Sequence, residues 1–346
     1  MFSRPPYHGS HVLSIADLQR EATKKLPRPY AELFNEGATD MTSMCENTTA
    51  YDRHKIRPRV LVKVPNIDTS AVLFGSKVTG PLGFAPIALN KLAHPDGELA
   101  TSRAVANLGI GMTVPGIGLN PYAIQLTILK NWSYAVQMLK RAEAAGYKAV
   151  FLTVDYPILG IRHNELRNEM ALPDGIAYPN VSDQPLGEGF PDIEYDQLAR
   201  SLTRMELWVK GIYTPEDVVL AIEHGVDRIV ISNHGGRQLD GVPATLDVVR
   251  ECASIATGKV SMAFDGGIRR GPDIFKALSL GAQHCFLGRV PVWGLAYGGQ
   301  AGVELAVKIF MHELKVTMAL AGCKNICEIS RTHLAVVDPM GVLCEL

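Results

Sequence analysis

The chain has 346 residues, 47% of them hydrophobic and 20% charged, with a formal net charge of −1 at pH 7. That balance suits a globular enzyme with a large core and excludes a cationic face for nucleic acid or an anionic membrane. No apolar run reaches bilayer length, and the opening Met-Phe-Ser-Arg-Pro-Pro lacks the hydrophobic stretch of a signal peptide.

Ser14-Ile-Ala-Asp17 has the form of a capping box and predicts a helix from that point. Pro27 and Pro29 break it, and a second short helix runs to Gly37. Residues 50–80 carry extended text interrupted by prolines, as in Ile56-Arg-Pro-Arg-Val60 and Val72-Leu-Phe-Gly75. With the helices they form an N-terminal cover over residues 1–81. From Leu82 a rhythm of short apolar strand and amphipathic helix begins. Strand candidates are 83–89, 110–114, 123–128, 149–155, 207–212, 228–234, 260–266 and 285–290. Helix candidates are 132–145, stopped by Gly146, then 218–224 behind the Thr214-Pro-Glu-Asp217 cap, 247–256, 273–280 and 302–319. Eight strands alternating with helices favour a closed (β/α)8 TIM barrel, here 82–325 of a single α/β domain with a tail at 326–346. An open doubly wound sheet would want Gly-x-Gly-x-x-Gly at its first strand–helix turn, and no strand end has it. Two stretches interrupt the rhythm. The Gly- and Pro-rich residues 113–122 cannot hold a helix, and residues 161–204 are long and, from Leu172 to Asp192, hardly periodic, as in a lid.

In a barrel the strand C-termini meet at one mouth, where chemistry sits. Ile229-Val230-Ile231 reads as a fully buried strand that breaks into Ser232-Asn233-His234-Gly235-Gly236-Arg237. The histidine can move a proton near neutral pH, and the arginine can hold a carboxylate with two parallel hydrogen bonds. Gln125, Thr153, Asp155 and Lys210 stand at other strand ends. Gly266, Gly267 and Arg269 follow the seventh strand, and Gly288 and Arg289 the eighth, the strand pair where barrels often bind phosphate. The plain alternative, turn glycines with surface arginines, holds for either cluster alone and weakens when both occur together.

Ser-Asn-His-Gly-Gly-Arg-Gln-Leu-Asp (232–240), Phe-Asp-Gly-Gly-Ile-Arg-Arg-Gly-x-Asp (264–273) and Leu-Thr-Val-Asp (152–155) carry a resemblance. So do Phe-Ala-Pro-Ile-Ala (84–88), Lys-Leu-Ala-His-Pro-Asp-Gly-Glu (91–98) and Thr-Met-Ala-Leu-Ala-Gly-Cys (317–323). From about residue 12 to about 335 the chain resembles the FMN-dependent 2-hydroxy-acid oxidase and dehydrogenase family. That family includes glycolate oxidase, lactate oxidase and the flavin domain of flavocytochrome b2. The resemblance implies His234 as base, Asp155 as its partner, and Lys210 at the flavin N1–C2 edge. Arg162 and Arg237 would hold the substrate carboxylate. Pro86, Ile87, Ala88, Pro115, Gln125, Thr127, Thr153 and Ser232 would line the flavin ring. Asp265, Gly266, Gly267, Ile268, Arg269, Gly288 and Arg289 would bind ribityl and phosphate.

The departures bear on substrate. Leu33 and Thr127 stand where the family places tyrosines, and Pro115-Gly116-Ile117 replaces Ser-Ser-Trp. The expected reaction is therefore FMN-dependent oxidation of a 2-hydroxy acid larger or more apolar than glycolate, with oxygen or another electron acceptor. Two alternatives stay open: an FMN redox enzyme acting on a larger metabolite that is not a simple 2-hydroxy acid, and a non-catalytic flavin-binding barrel. The resemblance also implies a homo-oligomer, a tetramer in many relatives. Six scattered cysteines without histidines at metal spacing imply reduced thiols, no metal and an intracellular protein. The Cys-Glu-Leu ending differs from a Ser-Lys-Leu peroxisomal address, which favours the cytoplasm. His54, His94 and His333 read as packing or surface residues, Trp132 and Trp208 as core or helix-face residues, and residues 298–302 as the start of the last helix. His163, next to Arg162, is the one further histidine expected near the mouth.

Overall fold

Strands buried on both faces need a neighbour on each side, and a ring of eight gives every one of them two. In a computed structural model, which describes residues 11–113, 122–127, 132–169, 173, 203–338 and 340–345, that ring closes.

Three helices come first: α1 (Ile15–Lys25), α2 (Arg28–Asn35) and α3 (Thr42–Arg53). The capping box at the head of α1 is formed, Ser14 Oγ accepting from Asp17 N and Asp17 Oδ2 from Ser14 N. Pro29 sits in the first turn of α2, where its missing N–H costs nothing. β1 (His54–Ile56) follows, then the hairpin of β2 (Ala71–Leu73) and β3 (Ser76–Val78). The barrel consists of β4 (Leu82–Phe84), β5 (Gly111–Thr113), β6 (Tyr122–Thr127), β7 (Ala149–Thr153), β8 (Glu206–Ile212), β9 (Arg228–Ile231), β10 (Ser261–Asp265) and β11 (His284–Leu287). All eight pair in parallel in chain order, and β11 closes onto β4 through Cys285 opposite Leu82. β4, β7, β9, β10 and β11 end earlier than the sequence suggests, while β8 ends at Ile212 as expected, so that His234 lies beyond the end of β9 in a loop.

The surrounding helices are α4 (Gly97–Leu108), α5 (Trp132–Ala144), the short α6 (His163–Arg167), α7 (Pro215–Glu223), α8 (Thr245–Ala256), α9 (Gly271–Ser279) and α10 (Arg289–Ala321). α4 fills the first crossover, where the sequence reading singled out no helix. The last helix begins at Arg289 rather than at residue 302, and Gly298 and Gly299 interrupt it with non-helical dihedrals. Its glycine run is a break inside a helix, because Gly294 and Gly302 let the two halves approach more closely than any Cβ would allow. β12 (Leu334–Val337) returns to pair with β1, and β13 (Leu343–Glu345) pairs with β12.

The β2–β3 hairpin plugs the N-terminal end of the barrel. Its Phe74 is buried and meets Trp208 edge-on at 5.1 Å between ring centroids and Phe151 at 5.9 Å. Phe151 stacks on Trp208, and Phe286 completes the layer. Trp208 is thus core, as its sequence context suggests. The side chain of Trp132 and the sequence-predicted stretches at 114–121, 170–172 and 174–202 lie outside the described residues. Among the described residues no helix is long and apolar enough to cross a membrane.

Candidate active site

Beyond β9 the backbone passes through three left-handed residues, His234 (φ +56°), Gly235 (φ +65°) and Gly236 (φ +73°). For histidine this conformation is strained, and it persists where neighbours hold it. His234 N donates to Ser232 Oγ at 3.1 Å, and the turn presses on α3, with Gly236 against Met44. The turn aims the imidazole at β7. His234 Nδ1 lies 2.8 Å from Asp155 Oδ1, and Lys210 Nζ lies 3.4 Å from Asp155 Oδ2. Lys210 Nζ also stands 3.8 Å from Asp265 Oδ2, whose other oxygen accepts from Ser232 Oγ at 2.7 Å. Gly211 makes the approach possible, since a Cβ there would fall 2.6 Å from the Asp155 Cβ.

These groups set each other's charge. Burial works to raise the Asp155 carboxyl, but Lys210 and His234 outweigh it and bring it to about 2. Lys210 is raised, its two carboxylates overcoming burial. His234 is lowered, by burial first and then by Lys210, with Asp155 opposing. Asp265 is raised by burial. At neutral pH the arrangement is a neutral imidazole on an ionised aspartate.

Two arginines stand on the adjoining segments, Arg237 three residues past His234 and Arg162 seven past Asp155. Arg162 caps α6 and donates through Nη1 to both oxygens of Glu165 at 2.9 Å. Arg237 donates through Nη2 to Glu165 Oε1 at 2.9 Å and through Nη1 to the carbonyls of Leu33 at 2.7 Å and Glu36 at 2.9 Å. The Leu33 side chain is buried in an apolar cluster with Leu26, Phe34, Leu92 and Val292, so this residue offers its carbonyl to the arginine. The Tyr156 ring lies 6.0 Å from the His234 ring.

Around the rest of the mouth, Gln125 Nε2 donates to Thr127 Oγ1 at 2.7 Å and to Thr153 Oγ1 at 3.1 Å. Pro86, Ile87 and Ala88 follow β4 and are partly or fully exposed. Gly266, Gly267, Ile268 and Arg269 leave β10 next to Gly288 and Arg289, which leave β11. Gly267 serves packing, since a Cβ there would run into Asn47 O. Gly288 differs, for a Cβ on it would meet nothing within 4 Å. Arg269 packs over the Trp293 ring at 4.8 Å, and Arg289 donates to the carbonyls of Phe34, Gly235 and Glu36 at 3.0 Å. Neither has a carboxylate within ion-pair distance among the described residues. Burial lowers both, and for Arg289 the other arginines add to the effect. Two cations with no ion-paired carboxylate among the described residues, beside the start of a long helix and an open glycine, make a donor set suited to a phosphate dianion.

Residues 22–336 match the FMN-dependent dehydrogenase family. The chain belongs to that family. It is 45% identical to the protein named oxidase FUB9 of Fusarium oxysporum f. sp. lycopersici over 96% of this chain and 93% of that one. It is 38% identical to glycolate oxidase of Spinacia oleracea over 94% of this chain and 96% of that one. Mandelate oxidase, solved with (S)-2-phenylpropionate, superposes with a TM-score of 0.87 at 32% identity, covering 93% of this chain and 98% of that one. FMN is the family's cofactor, and the donor set at the ends of β10 and β11 fits its phosphate.

The structure joins Asp155, Lys210, Ser232, His234 and Asp265 in one hydrogen-bonded and ionic network, Arg162 and Arg237 in a second through Glu165, and Gln125, Thr127 and Thr153 in a third cluster. Pro115 and Ile117 lie outside the described residues. His163 opens α6 but is exposed and makes no part of the network. His54 and His333 are buried packing residues. Sequence reasoning missed Glu165, Tyr156 and Asn47. Tyr156 adjoins Asp155 and carried a signal in that adjacency; the other two are an acid in a short helix and an amide far away in the chain, with no local signature.

Proposed function

We propose that this chain oxidises a 2-hydroxy acid to the 2-oxo acid, with FMN as the immediate electron acceptor and oxygen or another acceptor downstream. The observation that carries the reading is the neutral His234 fixed on an ionised Asp155, with two partly buried arginines, Arg162 and Arg237, joined by Glu165 on the adjoining segments. Arg162 and Arg237 hold the substrate carboxylate, which orients the α-carbon and its hydroxyl toward His234. The His234 Nε2 takes the proton, and Asp155 stabilises the resulting imidazolium. Bound FMN supplies the two-electron sink. Lys210 brings a positive charge to the flavin edge, and Gln125, Thr153, Ser232 and the backbone at Pro86–Ala88 line the ring. Asp265, Gly266, Gly267, Ile268, Arg269, Gly288 and Arg289 hold ribityl and phosphate.

The preferred acid is larger and more apolar than glycolate. Leu33 and Thr127 offer no phenol to the carboxylate, and Tyr156 gives the mouth an aromatic face beside His234. Each CH₂ buried there contributes about 0.8 kcal/mol. Anaerobic bleaching of the flavin over a series of 2-hydroxy acids graded by side-chain size tests both parts. Efficiency is expected to rise from glycolate to longer or aromatic acids, and Thr127→Tyr to shift preference back. A flavin that stays oxidised with every acid defeats the catalytic reading; a wild-type preference for glycolate defeats the enlarged pocket alone.

A further inference from the structure

Among the described residues, Glu165 is the one carboxylate that touches both arginines of the mouth. Its place is fixed by the helix that carries it. α6 is bolted to α2, with Asn164 Nδ2 donating to Glu36 Oε1 at 2.8 Å and to its Oε2 at 2.9 Å, and Asn168 Nδ2 to Glu32 Oε2 at 2.6 Å. Arg237 is held from two sides, by Glu165 at one end and by the carbonyls of Leu33 and Glu36 at the other. Arg162 is held differently. Glu165 takes only its Nη1, and the Nε of Arg162 is a buried donor without a partner among the described residues. Its side chain is only 11% exposed, so water does not freely supply one. A guanidinium receives a carboxylate side-on through Nε and Nη2, and that is the edge Glu165 leaves alone. Without Glu165 the two cations would also repel across a buried gap. Arg237 already sits at about 10 through burial and Arg162, with Glu165 among the groups opposing the fall.

We propose that Glu165 is a positioning residue for carboxylate capture: it pins Arg162 by Nη1 and Arg237 by Nη2, and so presents the Nε edge of Arg162 to the substrate. The inference rests on the reading that these arginines take the substrate carboxylate. The rival role, an internal carboxylate that fills the slot and competes with substrate, would place Glu165 on the Nε edge, which it does not occupy.

The test uses FMN-loaded protein and three variants, Glu165→Gln, Glu165→Asp and Arg162→Ala. Two quantities are read: KM for the 2-hydroxy acid that bleaches the flavin fastest, and the dissociation constant of benzoate, a carboxylate that cannot be oxidised, from its perturbation of the flavin spectrum. Glu165→Gln should raise both by about tenfold, the loss of roughly one charge-assisted contact, with the loss falling mainly on KM rather than kcat. Flavin content and Tm should hold, and Glu165→Asp, which keeps the charge, should recover part of the affinity. Unchanged or tighter benzoate binding in Glu165→Gln overturns the inference, as does a loss that only tracks falling flavin content and Tm. If Arg162→Ala weakens benzoate and Glu165→Gln does not, the positioning role alone is wrong. If neither does, the arginines are not the carboxylate site and both readings fall.

Discussion

His234 works as a base only while it is neutral, and its surroundings keep it so. Burial disfavours the imidazolium, Lys210 repels it, and Asp155 only partly compensates. Its pKa therefore lies below the ordinary imidazole value of about 6.5. The sign follows directly: kcat/KM should be level near pH 7 and fall with acid on a limb below about 6.5, as His234 becomes protonated. Asp155, at about 2, stays ionised across that limb. Lys210→Met removes the repelling charge and should move the limb toward higher pH, seen in the pH profile of anaerobic flavin reduction. A limb that stays in place means that the Lys210 charge does not reach the imidazole. His234→Ala should keep its flavin and lose on the order of 10²–10⁴ in reduction rate.

The His234 turn depends on α3, an element that makes no visible contribution to chemistry. Asn47 on α3 is 2% exposed; its Nδ2 donates to Asn233 Oδ1 at 2.8 Å and its Oδ1 accepts from Asn233 Nδ2 at 3.0 Å. The same oxygen accepts from the Thr245 N–H at 3.1 Å, at the head of α8. Asn47→Ala would strand buried polar groups on two other elements, at a cost of about 1–3 kcal/mol each. It should also free the left-handed His234 to relax, so that flavin reduction falls more than an equally destabilising substitution on α4 would cause. Equal losses of rate for equal losses of Tm would show that α3 only contributes stability. None of this was legible in the chain, because 186 residues separate Asn47 from Asn233 and no periodicity links them. What was legible is local. The Ser14 and Thr214 caps form as read because both partners lie within one turn. The eight buried runs announce the barrel because each must find two neighbours. The start of α10 was misplaced because glycine reads as a helix boundary unless a close crossing explains it. Glu165 escaped notice because an acid one turn after an arginine reads as a solvated pair.

Across the whole molecule, side chains fill the barrel in layers, and the layers divide stability from chemistry. Trp208 and Lys210 are two residues apart on β8 and so face the same side, as do Phe151 and Thr153 on β7. The aromatic layer of Phe151, Trp208 and Phe286 thus lies directly beneath the layer that carries Lys210. Phe74, from the plugging hairpin, forms the layer below that. Phe74→Ala would open a cavity at the closed end and should cost about 3–5 kcal/mol, lowering Tm by many degrees. The β7–β8 ladder still pairs Thr153 with Lys210, so the mouth should keep its geometry. Flavin content and kcat/KM, measured well below the transition, should then match wild type. Trp208→Ala removes the support immediately under Lys210 and should lower both Tm and kcat/KM. If Phe74→Ala reduces kcat/KM as far as Trp208→Ala does, strain from the floor reaches the mouth and the two ends are not separable.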